Sequence, residues 1–457
     1  MTERRDDEHL PRAVADRITR PFARFLRIES ATGLALLAAT AVALIVSSSA
    51  VSGSVEAFWN TPLGVHFGSA DFSRSLRHWV NDCAMTLFFF VVSLELKREM
   101  VHGELRSLRM AAFSLAAALG GMVVPACVYL ALMHDEPGVH GWGTVMATDT
   151  AFVIGALALL GSRVPASLRV FLLSLAIFDD VGAILVVAIG YGSAPSWPAL
   201  AIAAAVVAAV RGASRVGVRS IPVYYALGAG LWLALDAAGV HPTLAGVVLG
   251  LMTPAREWVS DQRLHSILER VLSYPLGRHW SGDTADRADL RRAGVAAKEA
   301  LSPVERLEIA LHPWTGFVIM PLFALANAGV RISLSDLTSR ITVAIFAGLV
   351  LGKPAGVVAL SWLAERTRLA RRAEGLEWPV IFGGALLTGI GFTMSLFIAT
   401  LAFDDPDMLS SAKLGILGAS VVAGSAGLVA LTWLARRKRT EHGRREPAVT
   451  SEVAPQR

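Results

Sequence analysis

Two adjacent carboxylates, Asp179 and Asp180, lie inside a hydrophobic run from Leu168 to Ile189. A run of this length is long enough to cross a bilayer as a helix. An ionised side chain at the middle of such a helix costs about 2.5–3.5 kcal/mol on insertion scales, and two adjacent carboxylates also repel each other. We therefore expect the pair to be functional. The alternative is a polar contact that holds two helices together.

Two more charged residues, Asp149 and Lys353, lie in other apolar stretches. Three acids and one base in separate spans lower their burial cost if they converge in one cavity. Neighbouring side chains on a helix point about 100° apart, so Asp179 and Asp180 do not both face the same partner. We expect one of them to pair with Lys353 and the other to face an aqueous cavity with Asp149.

The residue types around these charges suit a hard cation. Thr148 places a hydroxyl beside the Asp149 carboxylate, and an oxygen-only set is what a hard alkali cation binds best. No His or Cys cluster with metal-ligand spacing accompanies them in the sequence, and no cofactor is expected. Two simpler interpretations stay open: Asp149 as a helix N-cap at an interruption, and Lys353 as a side chain that reaches an interface.

The elements that must position these residues are membrane helices. Hydrophobic residues make up 54% of the 457-residue chain and charged residues 17%, and the mean hydropathy is +0.53. These values indicate an all-α polytopic membrane protein. Twelve candidate spans are predicted at 31–50, 79–96, 110–132, 142–160, 168–191, 197–210, 221–236, 240–253, 307–330, 341–364, 379–402 and 411–435.

Loop charge sets the orientation of these spans. Apart from Lys353, the 42 Lys and Arg residues fall mostly in loops on the side of the two termini. This asymmetry predicts twelve spans with both termini in the cytoplasm. The five basic residues assigned to the outer side are Arg74, Arg77, Arg331, Arg340 and Lys413.

Two of the spans are rich in helix-breaking residues. The span 379–402 contains a glycine-rich centre with Gly389 and Gly391, and the span with Asp149 follows a run of glycines. They occupy the middle of two three-span blocks, 110–191 and 341–435, which is typical of inverted-repeat transporters with a midplane site. Glycines used for close helix packing are the alternative.

The chain divides into a transporter domain and flanking segments. Residues 1–30 form a cytoplasmic N-terminal segment, 31–436 the twelve-span domain and 437–457 a disordered cytoplasmic tail. Residues 51–78 form an external linker with a short β-hairpin. Residues 255–306 form a long, extended cytoplasmic loop with an amphipathic piece near 261–272.

Several motifs, in one order along the chain, resemble the NhaA sodium/proton antiporters, a family of inverted-repeat transporters. Together they extend over residues 81–402. The matching stretches are Asn81-Asp82, Phe88 to Glu99, Ala147 to Phe152, Leu175 to Gly182, Gly239 to Gly246, Leu311 to Gly329, Gly352 to Pro354 and Gly389 to Phe397.

This resemblance implies twelve helices, of which the fourth and eleventh are unwound and crossed. It implies that Asp180 is the principal sodium carboxylate, that Asp149 with Thr148 assists at the crossing, and that Asp179 pairs with Lys353. It further implies that Glu95, Glu308 and His241 respond to pH and that the 51–78 hairpin forms a homodimer.

The expected activity is electrogenic, pH-regulated export of Na+ or Li+ from the cytoplasm in exchange for protons, across a bacterial inner membrane. Two rivals stay open beside a simple channel. A sodium-coupled symporter would need added polar residues for its solute, and no such set is obvious. An intramembrane aspartyl protease would carry Gly-x-Gly-Asp, whereas Phe392 follows Gly391 here.

Overall fold

The computed structural model describes residues 29–67, 70–101, 103, 108–192, 194–216, 221–273, 284–330 and 334–445. Within these ranges the chain is helical apart from loops and one two-stranded hairpin. Most of the N-terminal segment predicted at 1–30 lies outside the described residues, and the first helix begins at Glu29 and ends at Ser47.

Seven helices of the described chain are long and apolar enough to cross a membrane, or up to ten if each of three bent pairs is one span. Every predicted span coincides with a helix or a bent pair, but two of these helices, Ile221–Ala237 and Leu244–Met252, are shorter than a full span. Seven to ten candidate spans are therefore found, and the number twelve stays a prediction. The seven long helices are Leu76–Val101, Ala111–Leu132, Ala166–Gly190, Trp197–Val216, Pro303–Asn327, Arg340–Arg366 and Pro406–Arg437.

Two of the bent pairs form broken spans near the charged residues. The first broken span joins Pro137–Val145 to Thr150–Leu160 with a bend of 42°, and the second joins Trp378–Thr388 to Phe392–Ala402 with a bend of 45°. The two breaks lie against each other, because the backbone N–H of Asp149 donates to the carbonyl of Ile390 over 2.7 Å. Non-helical backbone at this depth is stable only where other protein groups satisfy it.

The helix that carries Lys353, Arg340–Arg366 and called here the lysine helix, contains a wide π-helical turn at Gly348–Gly352. Such turns occur often at functional sites. Beyond it, the lysine helix packs backbone to backbone on Leu108–Leu132. A Cβ atom added at Gly120 would lie 2.0 Å from the Gly356 carbonyl oxygen, and the converse distance is the same. Only glycine permits this approach.

A β-hairpin lies directly before the long helix Leu76–Val101, within the linker where the sequence suggested one. Strand Pro62–Phe67 pairs antiparallel with Ala70–Ser75, after a short helix Ser52–Trp59. Arg74 of the second strand forms ion pairs with Asp82 at 3.3 Å and with Asp236 at 2.6 Å. These contacts attach the hairpin to two separate helices, Leu76–Val101 and Ile221–Ala237.

Two segments predicted to be cytoplasmic are more helical than the sequence predicted. The loop 255–306, expected to be extended, contains helix Asp261–Leu272 and a second helix Thr284–Glu299. The second helix was missed because its surface is polar, yet Ala293 and Ala296 are buried. The tail predicted to be disordered from 437 instead continues the last helix to Arg445, since Arg and Lys favour helical backbone.

One charged residue inside a predicted span was also misplaced. The loop-charge argument assigned Arg169 to a loop, although it lies within the run Leu168 to Ile189. The structure places it in the first turn of Ala166–Gly190, where its guanidinium donates to the carbonyl of Gly161 over 2.5 Å. Its exposed position at the helix end leaves the apolar centre of the span to the aspartate pair.

Candidate functional site

Asp179 and Lys353 form a fully buried ion pair. Lys353 Nζ lies 3.0 Å from Asp179 Oδ2, and both side chains have 0% exposure. The same ammonium group also donates to the carbonyl of Met146 over 2.5 Å, just before the break of the first broken span. The pair thus connects the lysine helix, the first broken span and the helix Ala166–Gly190, called here the aspartate helix.

Thr148 is a second partner of Asp179. Its hydroxyl donates to Asp179 Oδ2 over 2.5 Å, and it lies 3.1 Å from the carbonyl oxygen of Thr388 in the second broken span. Thr148 is 2% exposed. In this conformation the hydroxyl is therefore committed to Asp179 and not directly to Asp149, its neighbour in sequence.

Asp149 caps two helices at once. Its Oδ1 accepts from the backbone N–H of Phe152 over 3.2 Å in its own broken span. Its Oδ2 accepts from the backbone N–H of Thr393 over 3.0 Å and from the Thr393 hydroxyl over 2.5 Å. A carboxylate stabilises a helix N-terminus by satisfying free N–H groups and opposing the positive end of the dipole. The N-cap interpretation of Asp149 thus holds, for both broken spans.

Asp180 has the fewest partners of the three acids. It is 3% exposed, and its Oδ2 lies 3.4 Å from the Thr150 hydroxyl. Its Oδ1 has no hydrogen-bond partner among the described residues. Because Asp179 occupies the neighbouring position, the two carboxylates point to different partners, as the helical period predicts.

The glycines at the second break are required by close contacts. A Cβ at Gly389 would lie 2.5 Å from the carbonyl oxygen of Leu349, in the π-helical turn of the lysine helix. A Cβ at Gly391 would lie 2.1 Å from the Ser395 hydroxyl. Both glycines have ordinary negative φ angles, so packing and not backbone conformation selects them.

Two of the three residues proposed for pH response lie in one cluster. Glu95 Oε1 is 3.4 Å from His312 Nδ1, and Glu308 forms an ion pair with Arg98. Arg98 also lies 3.1 Å from Glu99. The helices Leu76–Val101 and Pro303–Asn327 supply all five side chains.

His241 lies elsewhere in the structure. Its ring packs edge-on against Phe397, with the centroids 5.5 Å apart, and its Nδ1 lies 2.8 Å from the Thr243 hydroxyl. Phe397 belongs to the helix that follows the second break. His241 thus touches the helix that Asp149 caps, whereas Glu95 and Glu308 do not touch His241 in the described structure.

Sequence reasoning missed three groups of the site: the Thr393 hydroxyl, the Met146 carbonyl and the Thr150 hydroxyl. Thr393 stands two residues after Gly391, and the helix N-terminus that a break creates is a place where a polar cap is expected. The glycine-rich break thus indicated that a polar residue near Gly391 would take part in capping. The Met146 carbonyl becomes free only because the backbone unwinds, which side-chain types do not reveal.

As a whole, the arrangement offers buried carboxylate and hydroxyl oxygens at the meeting point of two unwound segments. One acid is neutralised by a lysine, one caps two helices, and one is nearly without partners. A buried carboxylate needs a proton or a cation beside it. Asp180 is therefore able to take either one, but a bound proton weakens it as a cation ligand.

Comparison with known proteins identifies relatives over almost the whole chain. The sequence model of a family described as "Na+/H+ antiporter 1" matches residues 23–431. A protein named "Na(+)/H(+) antiporter NhaA" from Rhizobium meliloti is 60% identical over 425 residues, which cover 93% of this chain and 97% of the relative. A protein named "Na(+)/H(+) antiporter NhaA 1" from Acidiphilium cryptum is 58% identical over 431 residues, or 94% and 96% of the two chains.

Among solved structures, the sodium proton antiporter MjNhaP1 from Methanocaldococcus jannaschii aligns with 89% of this chain and 92% of its own. The TM-score is 0.48 and the sequence identity 11%. This likeness is too distant to bear on the function.

Proposed function

The chain belongs to the Na+/H+ antiporter 1 family, and from that premise we propose that it exports Na+, or the smaller Li+, from the cytoplasm in exchange for protons. It is a multi-pass membrane transporter and not an enzyme. We propose further that the exchange is electrogenic, that pH regulates it, and that it maintains sodium and pH homeostasis in the cell.

The observation that carries the proposal is the state of Asp180. Its carboxylate is buried and has one long contact, so an occupant must complete it. A proton makes the group neutral, and a sodium ion balances its charge. Both use the same oxygens, so each excludes the other. If only an occupied site reorients between the two membrane faces, this competition becomes exchange.

Lys353 supplies the fixed positive charge of the proposed ion site. Its ammonium group balances Asp179 at 3.0 Å, so that Asp180 is left as the carboxylate without a fixed counter-charge. When a cation binds at Asp180, the local positive charge rises, and the Lys353–Asp179 pair is the group that can respond. A proton released there would make the exchange electrogenic, with more than one proton for each sodium ion.

We infer that the two breaks are the place where the structure changes during exchange. Asp149 holds the N-termini of both half-helices through Phe152 and Thr393, and the first of these half-helices begins with Thr150 beside Asp180. We assign Asp149, with Thr148, an assisting role at the ion site. A cation near Asp149 would compete with the helix N–H groups for its oxygens, which links ion binding to the geometry of the crossing.

The architecture that we propose is twelve spans in two inverted three-helix repeats, with both termini in the cytoplasm of a bacterium and the protein in its inner membrane. Two contacts support the repeats. The first helices of the two blocks meet at Gly120 and Gly356, and their broken middle spans meet at Asp149 and Ile390. Matching elements thus face each other across the site.

We further propose that the protein is a lipid-embedded homodimer formed through the 51–78 hairpin, and that it needs no nucleic-acid partner. The short helix Ser52–Trp59 before the hairpin contains no buried residue, which leaves its surface free for a second copy. For pH response we propose the Glu95–Glu308 cluster and His241. Glu95 and Glu308 lie on two of the long helices. His241, before Leu244–Met252, contacts Phe397 of the second broken span.

The substitution Asp180→Asn tests the proposed function. It keeps the shape and removes the charge, and we expect it to abolish sodium-dependent proton movement in everted vesicles while the protein still inserts. Asp135→Asn is the matched control, because Asp135 is a solvent-exposed acid whose φ of 64° asparagine also tolerates. Wild-type rates in Asp180→Asn would end the proposal.

A further inference from the structure

We propose that the Thr150 hydroxyl is a ligand of the transported ion and favours Na+ over Li+. This inference rests on the proposed function and names a further residue of the same site. Thr150 is the first residue of the helix Thr150–Leu160, directly after Asp149.

Asp180 is the carboxylate with room for another ligand. The Asp179 carboxylate binds Lys353 and Thr148, and both oxygens of Asp149 accept hydrogen bonds. Oδ1 of Asp179 and Oδ1 of Asp180 both lack a partner in the part of the chain that the structure describes. Asp179 is balanced by Lys353 through its Oδ2, whereas Asp180, 3% exposed, has neither a lysine nor a helix N–H beside it in the described structure. An unpartnered carboxylate oxygen at such depth indicates a bound proton or cation.

Thr150 supplies the one side-chain hydroxyl within hydrogen-bonding range of Asp180 among the described residues. Its Oγ1 lies 3.4 Å from Asp180 Oδ2, which is longer than the usual separation of about 2.7–2.8 Å in a hydroxyl-to-oxygen hydrogen bond. No shorter hydrogen bond of this hydroxyl is found among the described residues. The lone pairs of Thr150 Oγ1 are therefore free to turn towards a cation placed between the two oxygens.

The 3.4 Å separation fits the larger of the two alkali ions. Two oxygens that bind a Ca2+-sized ion at about 2.4 Å and at right angles lie about 3.4 Å apart, whereas around a Mg2+-sized ion they lie about 2.9 Å apart. Na+ is close to Ca2+ in radius, and Li+ is close to Mg2+. Thr150 Oγ1 and Asp180 Oδ2 are thus spaced for Na+, and Li+ would require them to approach each other.

The test compares the two ions in matched variants. Thr150→Val keeps the shape and removes the hydroxyl, Thr150→Ser keeps the hydroxyl, and Thr400→Val is the control. Thr400 lies in the second broken span, where its hydroxyl donates to the Phe397 carbonyl over 2.7 Å. Apparent KM for NaCl and for LiCl is measured in proteoliposomes that contain a pH-sensitive dye.

We expect Thr150→Val to raise the ratio of the Na+ KM to the Li+ KM about tenfold, the usual effect of losing one neutral polar contact. Thr150→Ser and Thr400→Val should stay within about threefold of the wild-type ratio. An unchanged ratio in Thr150→Val, or an equal weakening for both ions, overturns the proposal. If Thr150→Val does not reach the membrane, Thr150→Ala takes its place with the same two outcomes.

Calorimetric titration of the purified variants with NaCl and LiCl gives the same ratio without turnover. A wild-type protein that binds both ions but moves no protons would reject the proposed function. The ratio of the two dissociation constants would still show whether the Thr150 hydroxyl is a ligand that favours Na+.

Discussion

Asp179 and Asp180 are neighbours in sequence and equally deep, yet the structure treats them differently. Asp179 has a lysine at 3.0 Å and a threonine at 2.5 Å, whereas Asp180 has one contact at 3.4 Å. The cause is the rotation of about 100° between successive helical residues, which turns one carboxylate to the lysine helix and the other to the start of Thr150–Leu160. Of two identical side chains, Asp179 is therefore held by an ion pair, and Asp180 is left to bind an ion or a proton.

At the residue scale we predict that Lys353→Ala destabilises the protein by about 3–5 kcal/mol, since it leaves Asp179 as a buried charge without a counter-ion. The measurement is the melting temperature in detergent, together with the pH profile of exchange. Lys298→Ala, at an exposed lysine of helix Thr284–Glu299, is the control. Adding Asp179→Ala to Lys353→Ala should recover part of the loss. An unchanged melting temperature and pH profile in Lys353→Ala would contradict the ion pair.

The sequence revealed the acids and the lysine because ionised groups are costly inside an apolar span, which makes them conspicuous. It did not reveal the groups that hold them. Nothing in its residue type distinguishes Thr393 from other threonines. The break at Gly391 places its backbone N–H in the first turn of a helix, where it has no partner within the helix. The Met146 carbonyl that receives Lys353 is a backbone atom, and its availability depends on where the helix unwinds.

At the scale of elements, the lysine helix is positioned by a glycine contact. Gly120 and Gly356 bring the backbones of two helices together, and the Gly121 Cβ position lies 3.7 Å from the Lys353 side chain. Small residues that permit such approach are common in membrane helix packing. The sequence pointed to the glycines at the breaks but not to these helix-packing glycines, because glycine spacing alone does not identify the opposing helix.

We therefore predict opposite effects for two glycine substitutions in helices. Gly120→Ala would place a methyl group 2.0 Å from the Gly356 carbonyl oxygen, so we expect it to lower the melting temperature and the rate of exchange. Gly230→Ala is the matched control, since nothing lies within 4 Å of its Cβ position and alanine favours the helix by about 0.5–1 kcal/mol. Equal melting temperatures for the two variants would contradict the close helix contact.

On the scale of the whole molecule, the hairpin is joined to the transporter by specific ion pairs. Arg74 links the hairpin to Asp82 and Asp236, and His78 lies 2.9 Å from Asp82. Asp82 and Glu95 belong to one helix and lie about 20 Å apart along its axis. The ionic cluster at the hairpin and the Glu95–Glu308 cluster are therefore at opposite ends of that helix.

If the hairpin forms the dimer, replacing residues 62–75 by a short Gly-Ser linker should give monomers in mild detergent, as measured by light scattering after gel filtration. Arg74→Ala should leave dimers that dissociate at lower detergent concentration, because the hairpin is then less firmly attached. Asp261→Ala, in the exposed helix Asp261–Leu272, is the control. A linker variant that stays dimeric would assign the interface to another surface.

The last helix has a mechanical consequence. Pro406–Arg445 contains 40 residues and is about 60 Å long, twice the thickness of the hydrocarbon core of about 30 Å. It touches the second broken span where Leu431 meets Gly383 and where Gly427 meets Leu387. Beyond these contacts the helix continues from Leu431 to Arg445, about 21 Å, so that a rotation of about 5° displaces its end by about 2 Å. A spectroscopic label at the C-terminal end of this helix would therefore report movements too small to see at the ion itself.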